Sequence, residues 1–273
     1  MTSPVRITSA ANPMVKALKA LHAKKGRAES GLFLAEGARL ASEAAALGVW
    51  PEVMALTSAA LERPQVRKLA EGARKAGTRV IETSESVLAG ISKRDNPQTV
   101  IGAYRQRIAT LETLTTRPEA LVIALEGVRD PGNLGTIVRT ADSVGADAVV
   151  LVGQSCDPFS VEAVRATMGS IFALPLARAS FEAFNTWRRA RALLLIGASL
   201  NGDNPHDAFP AERGVVVFMG NEQSGLPEDM ERACDALVKI PMRGRADSLN
   251  LAIATSVMVY DVWRRRNYDG ARD

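Results

Sequence analysis

In the second half of the chain, apolar residues recur in six short, nearly unbroken runs. These are ALVIAL (120–125), DAVVLVG (147–153), IFALPLA (171–177), ALLLIGAS (192–199), GVVVFMG (214–220) and ALVKIPM (236–242). Runs of this length without polar alternation predict strands buried on both faces, as in a parallel sheet covered by helices. Mixed stretches at 134–145, 160–169, 180–190 and 227–233 predict helices between them. A last helix covers 248–266, apolar round much of its circumference through Leu249, Ile253, Val257 and Tyr260. The first half alternates as well, with strands predicted at 32–37, 52–57, 78–83 and 99–106 and helices at 38–48, 65–76 and 85–92. Residues 12–25 predict a basic helix with Asn12 as cap, Pro13 at its first position and Gly26 at its end. The expected class is α/β, with a smaller domain over 1–107, a threonine-rich linker over 108–119 and a parallel-sheet domain over 120–273.

Composition narrows the functional classes. With 273 residues, 47% of them apolar and 23% charged, the chain can bury a sizeable core. No apolar run reaches the ~18 residues of a membrane span. The first residues lack the apolar stretch of a signal peptide, so a cytoplasmic location and no membrane partner are expected. Cys156 and Cys234 have no metal-ligand spacing and are expected to be buried free thiols, with no metal site. The charge is polarised. Residues 1–107 hold 17 Lys and Arg against 9 Asp and Glu, a net +8, whereas 108–273 hold 17 against 21, a net −4. Arg6, Lys16, Lys19, Lys24, Lys25 and Arg27 stand against Glu29 alone in the first 30 residues. Such a balance predicts that the N-terminal half meets a polyanion, with nucleic acid favoured over a merely solvated face.

Ligands of parallel sheets sit beyond the carboxyl ends of the strands, which directs attention to loops 126–133, 220–226 and 241–248. None contains a phosphate-binding fingerprint of either the G-x-G-x-x-G or the P-loop type. In the first, Asn133 can cap the following helix, Gly135 admits close packing, and Arg139 lies six residues on, on nearly a different face. In the second, Glu222 follows Gly220 directly after a buried strand. In the third, a polar loop follows Ile240-Pro241-Met242, Ser248 can cap the last helix, and Asn250 falls in its first turn.

Together these stretches resemble the three motifs of the SpoU branch of the SPOUT RNA methyltransferases. Asn133, Gly135 and Arg139 match the first motif; Gly220, Glu222, Gly225 and Leu226 the second; Ile240 to Met242, Gly244 and Ser248 to Asn250 the third. Ile7-Thr8-Ser9, Asn12-Pro13, Lys16 and Phe33 to Gly37 are similar, more loosely, to the family's N-terminal RNA-binding domain of the L30e type. The resemblance implies an α/β-knot, in which a deep C-terminal trefoil knot binds S-adenosylmethionine. It places cofactor contacts on Gly220, Asn221, Ile240, Met242 and Leu249, and catalysis on Asn133, Arg139, Glu222, Ser248 and Asn250. It further implies a homodimer through the methyltransferase domain, and methylation of a ribose 2′-hydroxyl in structured RNA, either ribosomal or transfer RNA, with ribosomal RNA favoured. Arg139 then either pins the target phosphate or acts as the base, with Glu222 and Asn133 holding it. The alternative is an RNA-binding protein of the same fold that binds the cofactor and does not methylate ribose.

Overall fold

The computed structural model describes residues 5–94, 97–202 and 204–271; the outer ends of the two expected domains, 1–4 and 272–273, lie outside them. The chain divides into two compact units. One holds residues up to Gln106 together with Asp157–Ala173, the other Arg107–Cys156 and the residues from Leu174 onward.

The first unit alternates β1 (Val5–Ile7), α1 (Pro13–Ala20), α2 (Lys24–Ser30), β2 (Leu32–Glu36), α3 (Ala38–Ala46), β3 (Val53–Thr57), α4 (Ser58–Leu61), α5 (Pro64–Lys75), β4 (Arg79–Thr83), α6 (Glu85–Ser92) and β5 (Val100–Arg105). Its sheet runs β1-β4-β3-β5-β2 and is mixed: β1, β4 and β3 are parallel, while β5 is antiparallel to both β3 and β2. The basic segment is two helices, not the single one expected over 12–25. Asn12 caps α1 as expected, its Oδ1 accepting the Met14 amide at 2.9 Å. Gly26, however, lies inside α2 and does not end a helix. A Cβ there would stand 2.2 Å from the Ala20 carbonyl oxygen, so glycine is needed for the close crossing of α1 and α2. Gly31, at φ +68°, ends α2 instead.

Arg27 is corrected more sharply. Expected on an RNA-facing surface, it is buried at 4% exposure. Its Nε and Nη2 meet Asp157 Oδ2 at 2.8 and 2.7 Å, and Nη1 donates to the carbonyls of Leu21 and His22 at 2.8 and 2.9 Å. It is a structural ion pair that closes the α1–α2 corner. Arg27→Ala would strip Asp157 Oδ2 and two carbonyls of these donors, leaving the carboxylate only the Phe159 amide on Oδ1, and is expected to cost about 3 kcal/mol of stability in denaturant unfolding.

The second unit continues with β6 (Leu121–Glu126), α7 (Pro131–Ser143) and β7 (Ala148–Val152). After α8 (Val161–Ala166), which belongs to the first unit, come β8 (Leu176–Ala179), α9 (Phe181–Ala190), β9 (Leu194–Ala198), β10 (Asn204–Pro205), β11 (Val215–Met219), α10 (Glu228–Arg232), β12 (Ala236–Lys239) and α11 (Leu251–Arg265). The sheet is parallel throughout, in order β10-β12-β9-β11-β6-β7-β8. Val122, Ile123, Val149, Val150, Val216 and Val217 are fully buried, as continuous apolar strands require. Leu111 and Leu114, expected in a linker, join this core.

One run is reassigned. Residues 171–177 do not form a strand; Ser170–Phe172 is a 3₁₀ turn and the strand begins at Leu176. The apolar content of Ile171 and Phe172 serves the first unit. There Phe172 packs 4.7 Å from Tyr104 and 5.9 Å from Phe33, and Phe159 lies 5.0 Å from Phe33. Cys156 and Cys234 are half-buried and form no disulfide, and burial pushes the Cys234 thiol up to about 12, so it stays protonated.

Candidate functional site

Strand order sets where the site can be. After β8 the chain crosses to β9, and β11 then fills the position between β9 and β6, so connections leave β6 in opposite directions and open a crevice at the strand ends. Loops 127–130, 220–227 and 240–250 meet there.

The first of them turns into α7 earlier than expected. Asp130, not Asn133, is the cap: its Oδ1 accepts the Asn133 amide at 2.6 Å, and Pro131 takes the first position, where no N–H is needed. Asn133 therefore stands inside the first turn with its side-chain amide free for other work. The third loop also shifts. Asn250, not Ser248, caps α11, with Oδ1 accepting from Ala252 and Ile253 at 2.9 and 3.3 Å. These two caps fix a relay. Since Asn250 Oδ1 is committed to the helix, its Nδ2 donates to Asn133 Oδ1 at 2.9 Å. Asn133 Nδ2 in turn donates to Glu222 Oε1 at 3.3 Å. Glu222 also accepts the amides of Arg129 and Asp130 at 3.3 and 3.4 Å. The relay orients each amide without reference to any ligand.

Asn221 is 7% exposed and works as a clasp. Its Nδ2 donates to Gly127 O at 2.6 Å, its Oδ1 accepts from Gln223 N, and its backbone pairs with Gly225 in both directions at 3.1 and 2.9 Å. At Glu126, at the end of β6, burial raises the pKa above the ordinary carboxylate value, outweighing the opposing pull of the Asn221 backbone amide. A raised carboxyl pKa means that ionisation costs folding free energy. Stability from Glu126 is present at low pH and is lost as pH rises through its folded value. Glu126→Gln is accordingly expected to melt no lower than the parent at about pH 8, with any gain vanishing as pH falls toward about 4. Melting scans across that range check it, and a gain that grows on acidification contradicts it.

Behind the relay lies a cavity of about 360 Å³, to which Met219, Gly220, Leu226, Ile240, Met242 and Leu249 contribute, with Asn221, Glu222 and Ser248 at its polar side. Its charged lining is Glu222, Glu231 and Lys239. Two acids against one cation suit a ligand without phosphates. An open cleft beside it is lined by Arg129, Asp130, Asn133 and Asn250, and shares Glu222, Ser248 and Leu249 with the cavity. The expected residues thus gather as two sets, Gly220, Asn221, Ile240, Met242 and Leu249 around the cavity and Asn133, Glu222, Ser248 and Asn250 beside the cleft. Arg139 does not join them. It is exposed on α7 and lines neither space, so Glu222 and Asn133 hold each other and not the guanidinium.

Comparison with known proteins identifies the family of the chain. Residues 120–260 match the SpoU rRNA Methylase family, and residues 12–102 match the MRM3-like substrate binding domain. A 23S rRNA (guanosine(2553)-2′-O)-methyltransferase, RlmP, of Bacillus subtilis is 30% identical over 256 residues, covering 93% of this chain and 98% of that protein. The crystal structure of an AdoMet-bound rRNA methyltransferase from Sinorhizobium meliloti superposes with a TM-score of 0.89 at 44% identity, covering 95% of this chain and 97% of that one. The AviRb methyltransferase of Streptomyces viridochromogenes, in complex with AdoMet, superposes with a TM-score of 0.86 at 28% identity, covering 96% and 100%. The chain belongs to the SpoU rRNA methylase family.

Proposed function

We propose that this chain methylates a ribose 2′-hydroxyl of ribosomal RNA with S-adenosylmethionine as donor. The carrying observation is the Asn250–Asn133–Glu222 relay, standing between an open cleft and a cavity whose charged lining is two acids and one lysine. The cavity fits the donor. Its apolar walls suit adenine, and Gly220 brings backbone against backbone where any Cβ would intrude. Gly220, Asn221, Ile240, Met242 and Leu249 form the holding set, and AdoMet is bound in the similar structures from Sinorhizobium meliloti and Streptomyces viridochromogenes.

The donor supplies a methyl group for in-line displacement by the ribose oxygen, with the sulfur leaving as a neutral thioether. The protein must place the hydroxyl, and Asn133, Ser248 and Asn250 are the neutral hydrogen-bonding groups available to do so. Glu222 holds the two loops in register through the Arg129 and Asp130 amides. The role of Arg139 is to pin the target phosphate and stabilise developing alkoxide charge, while the phosphate accepts the hydroxyl proton.

An exposed Arg139 reaches the cleft from a second copy. Its helix, α7, packs with α11 through Thr140–Ser256 and Ser143–Tyr260 hydroxyl contacts of 3.2 and 3.3 Å. Beside it, Ile253 and Tyr260 are 52% and 43% exposed, an apolar face suited to an isologous dimer. The trefoil knot belongs to the same reading, supported by the insertion of β11 between β6 and β9 and by the convergence of loops 220–227 and 240–250 on one cavity.

The first unit binds the RNA. Arg6, Lys16, Lys24 and Lys25 are exposed and Lys19 is half-buried, so these five carry the phosphate contacts that Arg27 does not make. Replacing Lys16, Lys19, Lys24 and Lys25 by Gln should weaken RNA binding and reduce the slope of log K against log salt by roughly 3. An unchanged slope would assign those lysines to a solvated face. The function itself is tested by transfer of labelled methyl from S-adenosylmethionine to ribosomal RNA. Cofactor binding without transfer would favour the binding-only alternative.

A further inference from the structure

One acidic side chain in the cavity takes no part in the steps above. Glu231, on α10, lines the cavity at the side of Ser199 and Asn201, the turn that follows β9. Its carboxylate accepts a hydrogen bond from Ser199 Oγ. That hydroxyl is itself fixed, since it accepts the Asn201 amide at 3.1 Å while the Ser199 amide donates to Val238 O at 2.9 Å. Glu231 is thus oriented at the ends of β9 and β12, on the far side of β11 from β6, whereas Asn133 follows β6 and Glu222 follows β11. A carboxylate offers about four acceptor positions, and Ser199 occupies one.

The donor molecule carries two polar groups that a carboxylate could take, the ribose diol and the amino-acid ammonium. The ammonium is bonded through one carbon to a carboxylate, which Glu231 would repel at short range. The diol brings two neutral donors and no anion. A carboxylate on ribose hydroxyls is also the arrangement that dinucleotide-binding folds use. We propose that Glu231, oriented by Ser199, is the acceptor for the ribose hydroxyls of the bound donor, an inference that rests on the cofactor reading above.

Calorimetry with three ligands tests it: S-adenosylhomocysteine, its 2′,3′-dideoxy analogue, and its analogue lacking the amino group. The wild type should bind S-adenosylhomocysteine and lose about tenfold or more on removal of the hydroxyls. Glu231→Gln, which can still accept from Ser199, should melt with the wild type and bind S-adenosylhomocysteine about tenfold more weakly. It should distinguish it from the dideoxy analogue by less than about twofold. A Glu231→Gln protein that binds S-adenosylhomocysteine like the wild type, or that loses as much on deoxygenation, overturns the proposal. Indifference to the missing amino group instead of the missing hydroxyls overturns it in favour of the ammonium. Failure of the wild type to bind S-adenosylhomocysteine at all would be a failure of the cofactor reading, separately visible.

Discussion

Arg139→Ala should slow methyl transfer to ribosomal RNA by about 10²–10³-fold, the usual cost of removing one charge-stabilising donor from a transition state. Affinity for S-adenosylhomocysteine should stay within about twofold, because Arg139 lines no part of the cavity of its own chain. Folding should be unaffected, since the side chain is exposed. Single-turnover transfer and calorimetry read the two effects separately, and equal transfer rates would remove Arg139 from the mechanism. The proposed dimer adds a sharper consequence. Mixed subunits carrying Arg139→Ala and Asn133→Ala, each inactive alone, should recover about a quarter of wild-type activity. Half of the dimers are then mixed, and each of those retains one intact site of two. No recovery would place both residues in the same chain's site.

Gly220→Ala should abolish donor binding and destabilise the second unit by about 3 kcal/mol. The added Cβ would lie 2.2 Å from Gly225 C, 2.3 Å from Leu226 N and 2.5 Å from Gly225 O, all of them backbone atoms. No rotamer change relieves such a contact. The Asn221–Gly225 backbone pair must open instead, which releases the Asn221 clasp on Gly127 and moves Glu222 out of the relay. Gly244, in the third loop, is the control. A Cβ there meets nothing within 4 Å, so Gly244→Ala should bind and melt like the parent. Urea unfolding with calorimetry measures both, and a Gly220→Ala protein that binds S-adenosylhomocysteine normally would show that the loop is not the cavity wall.

The apolar runs carried most of the second unit, because strands buried on both faces leave an uninterrupted signal and five of the six runs became strands. The sixth, 171–177, misled because Ile171 and Phe172 are apolar for a different core, and a sequence does not say which core an apolar pair will join. The motif residues were legible as a set, but their local roles were not. Asn133 and Ser248 were assigned caps that Asp130 and Asn250 hold, although the Asp130-Pro131 pair was itself a cap signal. Arg27 looked like its basic neighbours, since its partner Asp157 lies 130 residues away and only packing brings them together. Glu231 and Ser199 left no trace, having no motif and meeting only through the fold.

The most direct test is nucleoside mass spectrometry of ribosomal RNA from cells with the gene deleted and then restored, followed by incubation of the deletion RNA with purified protein and S-adenosylmethionine. The account predicts that one alkali-resistant 2′-O-methylated nucleotide disappears on deletion and returns with the wild-type protein, but not with Arg139→Ala. A methyl group found on a base, or ribosomal RNA identical in all three samples, would contradict it.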